Sequence, residues 1–230
     1  MPEIEKLFKK ITNGREYRKM EVAGLELRTG EAEDDLIVEG YATTFNEPYE
    51  LWREPGYVVM ERVDPHAFDS CDMSDVIFQF NHEGRVFART RNKTLELTID
   101  AHGLKVRAHL GGTEIGRQLY EEILGGYIDR MSFGFTVERD SREVTEDATS
   151  GVTTIMRTLL VVNKLYDTSC VSIPANDGTE ISARSYCDGL IAELREQATR
   201  AAEEKQRLET KREEIRARLR KHEGGDPNGI

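Results

Sequence analysis

Gly126-Tyr127-Ile128-Asp129-Arg130-Met131-Ser132-Phe133-Gly134-Phe135 is the stretch on which the reading of this chain turns. It opens on a glycine able to close a helix and then alternates. In a strand, Ile128, Arg130, Ser132 and Gly134 face one side, and Asp129, Met131, Phe133 and Phe135 the other. The aromatic and Met side is expected to pack on a core. The opposite side puts a small hydroxyl beside a residue without a side chain, so Ser132 is expected to stand in open space. Gly134 lets a second backbone or a ligand come close.

Working outward, apolar runs bounded by turn residues recur on both sides. Asp35 to Phe45, Tyr57 to Val63 and Val76 to Phe80 read as strands. Thr94 to Ile99 and Leu104 to Leu110 flank Asp100-Ala101-His102-Gly103 and read as a hairpin. Thr113 is a suitable N-cap for a helix that Gly125 ends. Val152 to Tyr166 and Thr168 to Ile173 read as the last strands, stopped by Pro174. Asp140 to Gly151 is polar and reads as a mobile loop. Eight or nine strands with few internal helices predict a mostly β domain with attached helices, its sheet antiparallel and closed or nearly closed into a barrel.

The ends differ in character. Residues 1–16 read as an arm, with Ile4, Leu7, Phe8 and Ile11 on one helical face. Residues 17–187 form the β domain. From 188 to 223 glycine and proline vanish after Gly189. Ile191, Leu194, Ala198, Ala201, Lys205, Leu208, Arg212, Ile215 and Leu219 then step by three and four, which is a heptad seam. Alanine and basic residues weaken that seam, so self-association or docking through this helix stands beside a solvated single helix. Residues 224–230 read as a disordered end.

Of the 230 residues, 32 are basic and 43 acidic, for a net charge of −11. The tail from 191 to 230 holds 10 basic and 9 acidic residues, so the negative charge belongs to the β domain. Such a surface excludes a nucleic-acid or anionic-membrane partner. No apolar run approaches the roughly 20 residues of a membrane span, and no signal-peptide pattern opens the chain. Cys71, Cys170 and Cys187 lack metal spacing and suit a reducing compartment. No metal or cofactor is called for.

A serine hydroxyl needs a base within hydrogen-bond reach and a third group to hold that base's tautomer. His82 is the best candidate base, because Asn81-His82-Glu83-Gly84 is a turn closing a buried strand. His66, His102, His109 and His222 compete from a turn, a hairpin tip, an outward strand face and the tail. Asp167 is the candidate orienter, entering a strand that otherwise reads as core. Glu138 and Glu143 are fallbacks, and Cys170 is a minor candidate nucleophile.

Together these segments resemble the prohead maturation protease family of tailed phages of the HK97 type, related in fold to the herpesvirus assemblin proteases. The resemblance rests on Val38-Glu39-Gly40-Tyr41-Ala42 with Phe45, Glu61-Arg62-Val63-Asp64-Pro65-His66-Ala67-Phe68, Asn81-His82-Glu83 and Gly103-Leu104. It continues through Gly126 to Phe135 and Asp167 to Ala175, in the family's order, over about residues 20 to 180. It implies an assemblin-like fold, with Ser132 as nucleophile and His82 as base. His66 departs from the family's Pro-Gly-Ala-Phe turn. The herpesvirus relatives place a second histidine after the serine, where this chain has only His222. A carboxylate must fill that role, and Asp167 matches the acidic position of the phage members.

The implied activity is a serine endopeptidase acting by acyl transfer inside the assembling procapsid in the host cytoplasm. Its implied substrates are the scaffolding segment of the major capsid protein, or a separate scaffold, and the protease itself. The alternative is an inert scaffold or assembly protein that binds capsid subunits. An esterase reading lacks the Gly-x-Ser-x-Gly elbow.

Overall fold

The computed structural model describes residues 14–20, 25–29, 36–172 and 177–223, with side chains at all of these except 19, 20, 29, 177–185 and 217–223. The amphipathic face expected within residues 1–13, the strand end at Ile173 and the disordered end expected at 224–230 lie outside them.

Eleven strands are found among the described residues: β1 Glu16–Met20, β2 Glu26–Thr29, β3 Leu36–Thr44, β4 Tyr49–Glu54, β5 Tyr57–Val63, β6 Ile77–Phe80, β7 Glu83–Arg89, β8 Leu95–Ile99, β9 Gly103–His109, β10 Arg130–Glu146 and β11 Thr153–Val171. Helix α1 spans Glu114–Leu124, and α2 spans Asp177–Glu223. The Thr113 side chain accepts a hydrogen bond from the Gly116 backbone N–H, as its N-cap position predicts.

The strands form two sheets. One runs β1-β10-β11-β5-β4, with β6 added beside β11 and β7 beside β6; the other runs β2-β3-β9-β8. Among the described residues neither closes into a barrel, which corrects the closed or nearly closed antiparallel barrel expected from sequence. The reason lies in β11, 19 residues long. Its Thr153–Leu159 half pairs with β5, and Asp167–Cys170 pairs with β6, both in parallel. One strand thus feeds two successive neighbours and the sheet forks instead of closing. Parallel pairs need long crossovers, which local alternation does not report.

β10 also runs through Glu146 in register with β11, so most of the expected mobile loop at Asp140 to Gly151 is strand. The two sheets and α1 share one core. Val38, Ala42, Val106 and Ala108 from one sheet meet Phe133, Phe135, Leu159 and Leu165 from the other, with Leu119 and Ile123 of α1. Phe133 stacks on Phe135 with ring centroids 4.5 Å apart. At about 25 cal/mol per Å² of apolar surface, this packing fixes which face β10 turns inward.

The chain divides into two compact units, Pro2–Cys187 and Asp188–Ile230. In the second unit the described backbone is helix as far as Glu223. Leu208 and Ile215, both on the heptad seam, are exposed there, and Arg200 pairs with Glu196 one turn back at 2.5 Å. Among the described residues no helix is long and apolar enough to cross a membrane.

Candidate active site

β6 and β7 are joined by two residues, with Phe80 opposite Glu83. Those two residues, Asn81 and His82, both adopt positive φ, 51° and 61°. A two-residue hairpin with both central residues left-handed matches the strand twist. Asn tolerates that conformation easily, whereas for His82 it carries a strain on the order of 1 kcal/mol. The turn is pinned to the end of β11. The Asn81 N–H donates to the Cys170 carbonyl at 3.0 Å. The Asn81 side chain accepts from the Ser172 N–H at 3.2 Å and bonds the Ser172 hydroxyl at 3.3 Å. His82 is thereby held at one point in space despite its place in a turn.

β10 and β11 supply the other two groups. Ser132 lies opposite Ser169, and Gly134 opposite Asp167. Directly opposed residues share a face, so Ser132 and Asp167 stand on the same side, two positions apart. His82 spans them. Its Nδ1 lies 2.5 Å from Asp167 Oδ1 and its Nε2 lies 2.5 Å from Ser132 Oγ. With Nδ1–H donating to the carboxylate, Nε2 is left as the acceptor for the serine hydroxyl.

Gly134 makes this arrangement possible. A Cβ there would lie 2.3 Å from Asp167 Oδ2 and 2.7 Å from the Tyr17 ring. The close approach expected from the glycine is therefore made by a carboxylate and an aromatic ring. Asp167 also accepts a hydrogen bond from the Ser169 hydroxyl at 3.1 Å. Both residues are buried, so the carboxylate relies on these partners in place of water. Ser169 was not singled out in the sequence, although Asp-x-Ser in a strand places both side chains on one face. Tyr17, whose ring stands edge-on to His82 with centroids 4.5 Å apart, was also missed.

Two expectations fail here. Asp167 does not enter a strand but sits within β11. Ser132 does not stand in open space, being 1% exposed with β1 lying beside it.

The competing residues lie elsewhere. His66 pairs with Asp69, His102 packs against Tyr41, and His109 approaches Glu96. Glu138 and Glu143 are exposed further along β10. Cys170 faces the core, and burial pushes its thiol up to about 12, which denies it a thiolate near neutral pH.

A second polar cluster, of charged groups, adjoins β1. Glu61, buried completely, receives the Arg18 guanidinium through Nε and Nη2, Arg157 Nη1 at 2.8 Å and the Tyr49 hydroxyl at 2.5 Å. Arg157 also reaches Glu16 at 2.7 Å and Asp140 at 2.6 Å. Burial alone would raise the Glu16 carboxyl, but Arg18 and Arg157 outweigh it and hold the group down at about 2. Burial, with Glu61 beside it, pushes the Tyr49 phenol well up, so Tyr49 stays a neutral donor.

A serine, a histidine and a carboxylate in series, on the same ordered motifs the sequence offered, are an arrangement used by hydrolases of several families. Comparison with known families decides which one: residues 23–189 match the model of the caudovirus prohead serine protease. The chain belongs to that family. Ser132, His82 and Asp167 all lie within the matched span of this prohead serine protease family, and β1 precedes it. The comparison with curated proteins found no match. Among solved structures, the chain is similar to the bacteriophage T4 capsid assembly protease, gp21, at 12% identity, covering 69% of this chain and 99% of that one, with a TM-score of 0.37. A likeness that slight carries no argument about the site.

Proposed function

We propose that this prohead serine protease is a maturation endopeptidase in which Ser132 is the nucleophile, His82 the general base and Asp167 the group that orients the imidazole. The observation that carries the reading is the unbroken series Asp167 Oδ1, His82 Nδ1, His82 Nε2, Ser132 Oγ, with both links at 2.5 Å. As Ser132 Oγ attacks the peptide carbonyl carbon, its proton passes to His82 Nε2. Asp167 stabilises the imidazolium that forms, and His82 then gives the proton to the leaving amine. The acyl group on Ser132 is released by water, activated by the same imidazole. Backbone N–H groups hold the oxyanion.

The substrates in this reading are extended segments of the major capsid protein's scaffolding region or of a separate scaffold, and the protease itself. The site of action is the procapsid interior. The helix from Asp188 to Glu223 serves as a docking element for the shell. The burial of Ser132 favours the competing reading, an assembly protein whose serine is inert.

Co-expression with the cognate capsid protein separates the two. Defined capsid-protein fragments in the mass spectrum, absent when Ser132→Ala replaces the wild type, support the protease. An uncut capsid protein bound to the chain supports the inert assembly protein.

A further inference from the structure

Ser132 is buried because β1 lies on it. Among the described residues β1 is an edge strand paired with β10 alone, and it runs antiparallel along the nucleophile strand. Lys19 stands opposite Ser132, Arg18 opposite Phe133 and Tyr17 opposite Gly134. The Ser132 hydroxyl lies 2.8 Å from the Arg18 carbonyl oxygen. A hydroxyl carries one proton, so a bond donated to Arg18 is a bond withheld from His82 Nε2. The Tyr17 ring meanwhile stands against the His82 ring. A backbone carbonyl on the nucleophile, extended pairing along its strand and a side chain over the base are three contacts that an extended substrate would make.

We propose that the β10 edge beside Ser132 is the groove for an extended peptide, and that β1 occupies it in cis as a displaceable strap that keeps the protease latent. The proposal rests on the assignment of Ser132 as nucleophile.

The charges allow displacement. To the charged cluster β1 contributes Glu16 and Arg18, whose charges cancel. When β1 leaves, Glu61 keeps Arg157 and Tyr49, and Arg157 keeps Asp140. No buried charge is orphaned, which is the condition that would otherwise forbid removing one side of such a cluster. The groove left behind holds two carboxylates, Glu61 and Asp140, against one guanidinium, Arg157. It therefore favours an incoming segment with a basic side chain at the place of Arg18. Arg18 anchors β1 through Glu61, and the Arg15 guanidinium just before β1 lies 3.7 Å from the Tyr166 ring centroid.

Labelling of Ser132 by a fluorophosphonate, followed by mass spectrometry of the full chain, tests the strap. Arg18→Ala removes its anchor, and Lys19→Pro breaks its pairing opposite Ser132. Both should label at least tenfold faster than wild type. The heptapeptide Gly-Arg-Glu-Tyr-Arg-Lys-Met, added in trans, should slow either variant again, and the same peptide with Glu in place of its second Arg should not. Equal labelling rates in wild type and both variants overturn the strap and leave the nucleophile assignment intact. Absence of label on Ser132 in every chain overturns both. Should the variants fail to fold, hydrogen exchange of the unaltered chain decides. β1 amides exchanging at least tenfold faster than those of β11 support the strap, and equal protection overturns it.

Discussion

Two polar clusters lie buried in the same β domain, and they differ in what their groups can do. Asp167, His82 and Ser132 stand in series, each touching the next, so a proton can move along the line. Glu16, Arg18, Glu61, Arg157 and Asp140 interlock instead, with Arg157 alone meeting three carboxylates. Guanidinium groups do not give up protons near neutral pH, so the second cluster is fixed charge. Burial of polar groups is common to both and diagnoses neither. The distinguishing features are the single histidine, held by a strained turn, and the serine that it can deprotonate.

That contrast can be broken by substitution. The largest effect is expected in the series. Ser132→Ala and His82→Ala should each lower the cleavage rate by on the order of 10⁶, measured on a capsid-derived peptide, because either loss disables the same step. Asp167→Asn should lower it by about 10⁴ with folding retained, since the amide favours the wrong imidazole tautomer. A near-native rate in that variant would move the orienting role away from Asp167. Gly134→Ala intrudes on Asp167 and Tyr17 together. Misplacement of that size should cost about 10²-fold in rate, read as a fall in kcat.

In the interlocked cluster the same kind of change should act on stability. Glu61→Gln leaves Arg18 and Arg157 short of a buried counter-charge and should lower the unfolding free energy by about 3 kcal/mol in a urea titration. An unchanged midpoint would mean that the cluster is solvated. The smallest effect concerns pH. Glu16 is held at about 2 against an ordinary 4.5. A depressed carboxyl contributes stability that is complete above pH 4.5 and is lost as pH falls toward 2. Acid should therefore loosen the wild-type domain in that window more than it loosens Glu16→Gln, followed by the urea midpoint at successive pH values.

The two clusters were also unequally legible in the sequence. Ser132, His82 and Asp167 each sit in a short segment with a recognisable turn or alternation, and the resemblance to the prohead protease family joined those segments into one candidate site. The charged cluster could not, because Glu16, Arg18, Glu61, Asp140 and Arg157 come from distant strands. Each reads locally as an ordinary surface charge, and only the pairing of β1, β5, β10 and β11 brings them together. The same non-local pairing hid the fork at β11 and left the sheet mistaken for a barrel. β4, Tyr-Glu-Leu-Trp-Arg-Glu, has no clean alternation and passed unnoticed. The burial of Ser132 was illegible for a related reason: its cover, β1, lies 112 positions or more upstream in the chain. The hairpin of β8 and β9 and helix α1 were legible because their turn and cap residues act within a few positions.

The central claim is that Ser132 is a nucleophile made reactive by His82. Its most direct test is prolonged incubation of the full chain with a fluorophosphonate, with the modified residue mapped by mass spectrometry in wild type and in His82→Ala. The account predicts one label, on Ser132, in the wild type and at least a hundredfold slower labelling in the histidine variant. A label on another serine, such as Ser169 or Ser172, or an equal rate on Ser132 without His82, would contradict it.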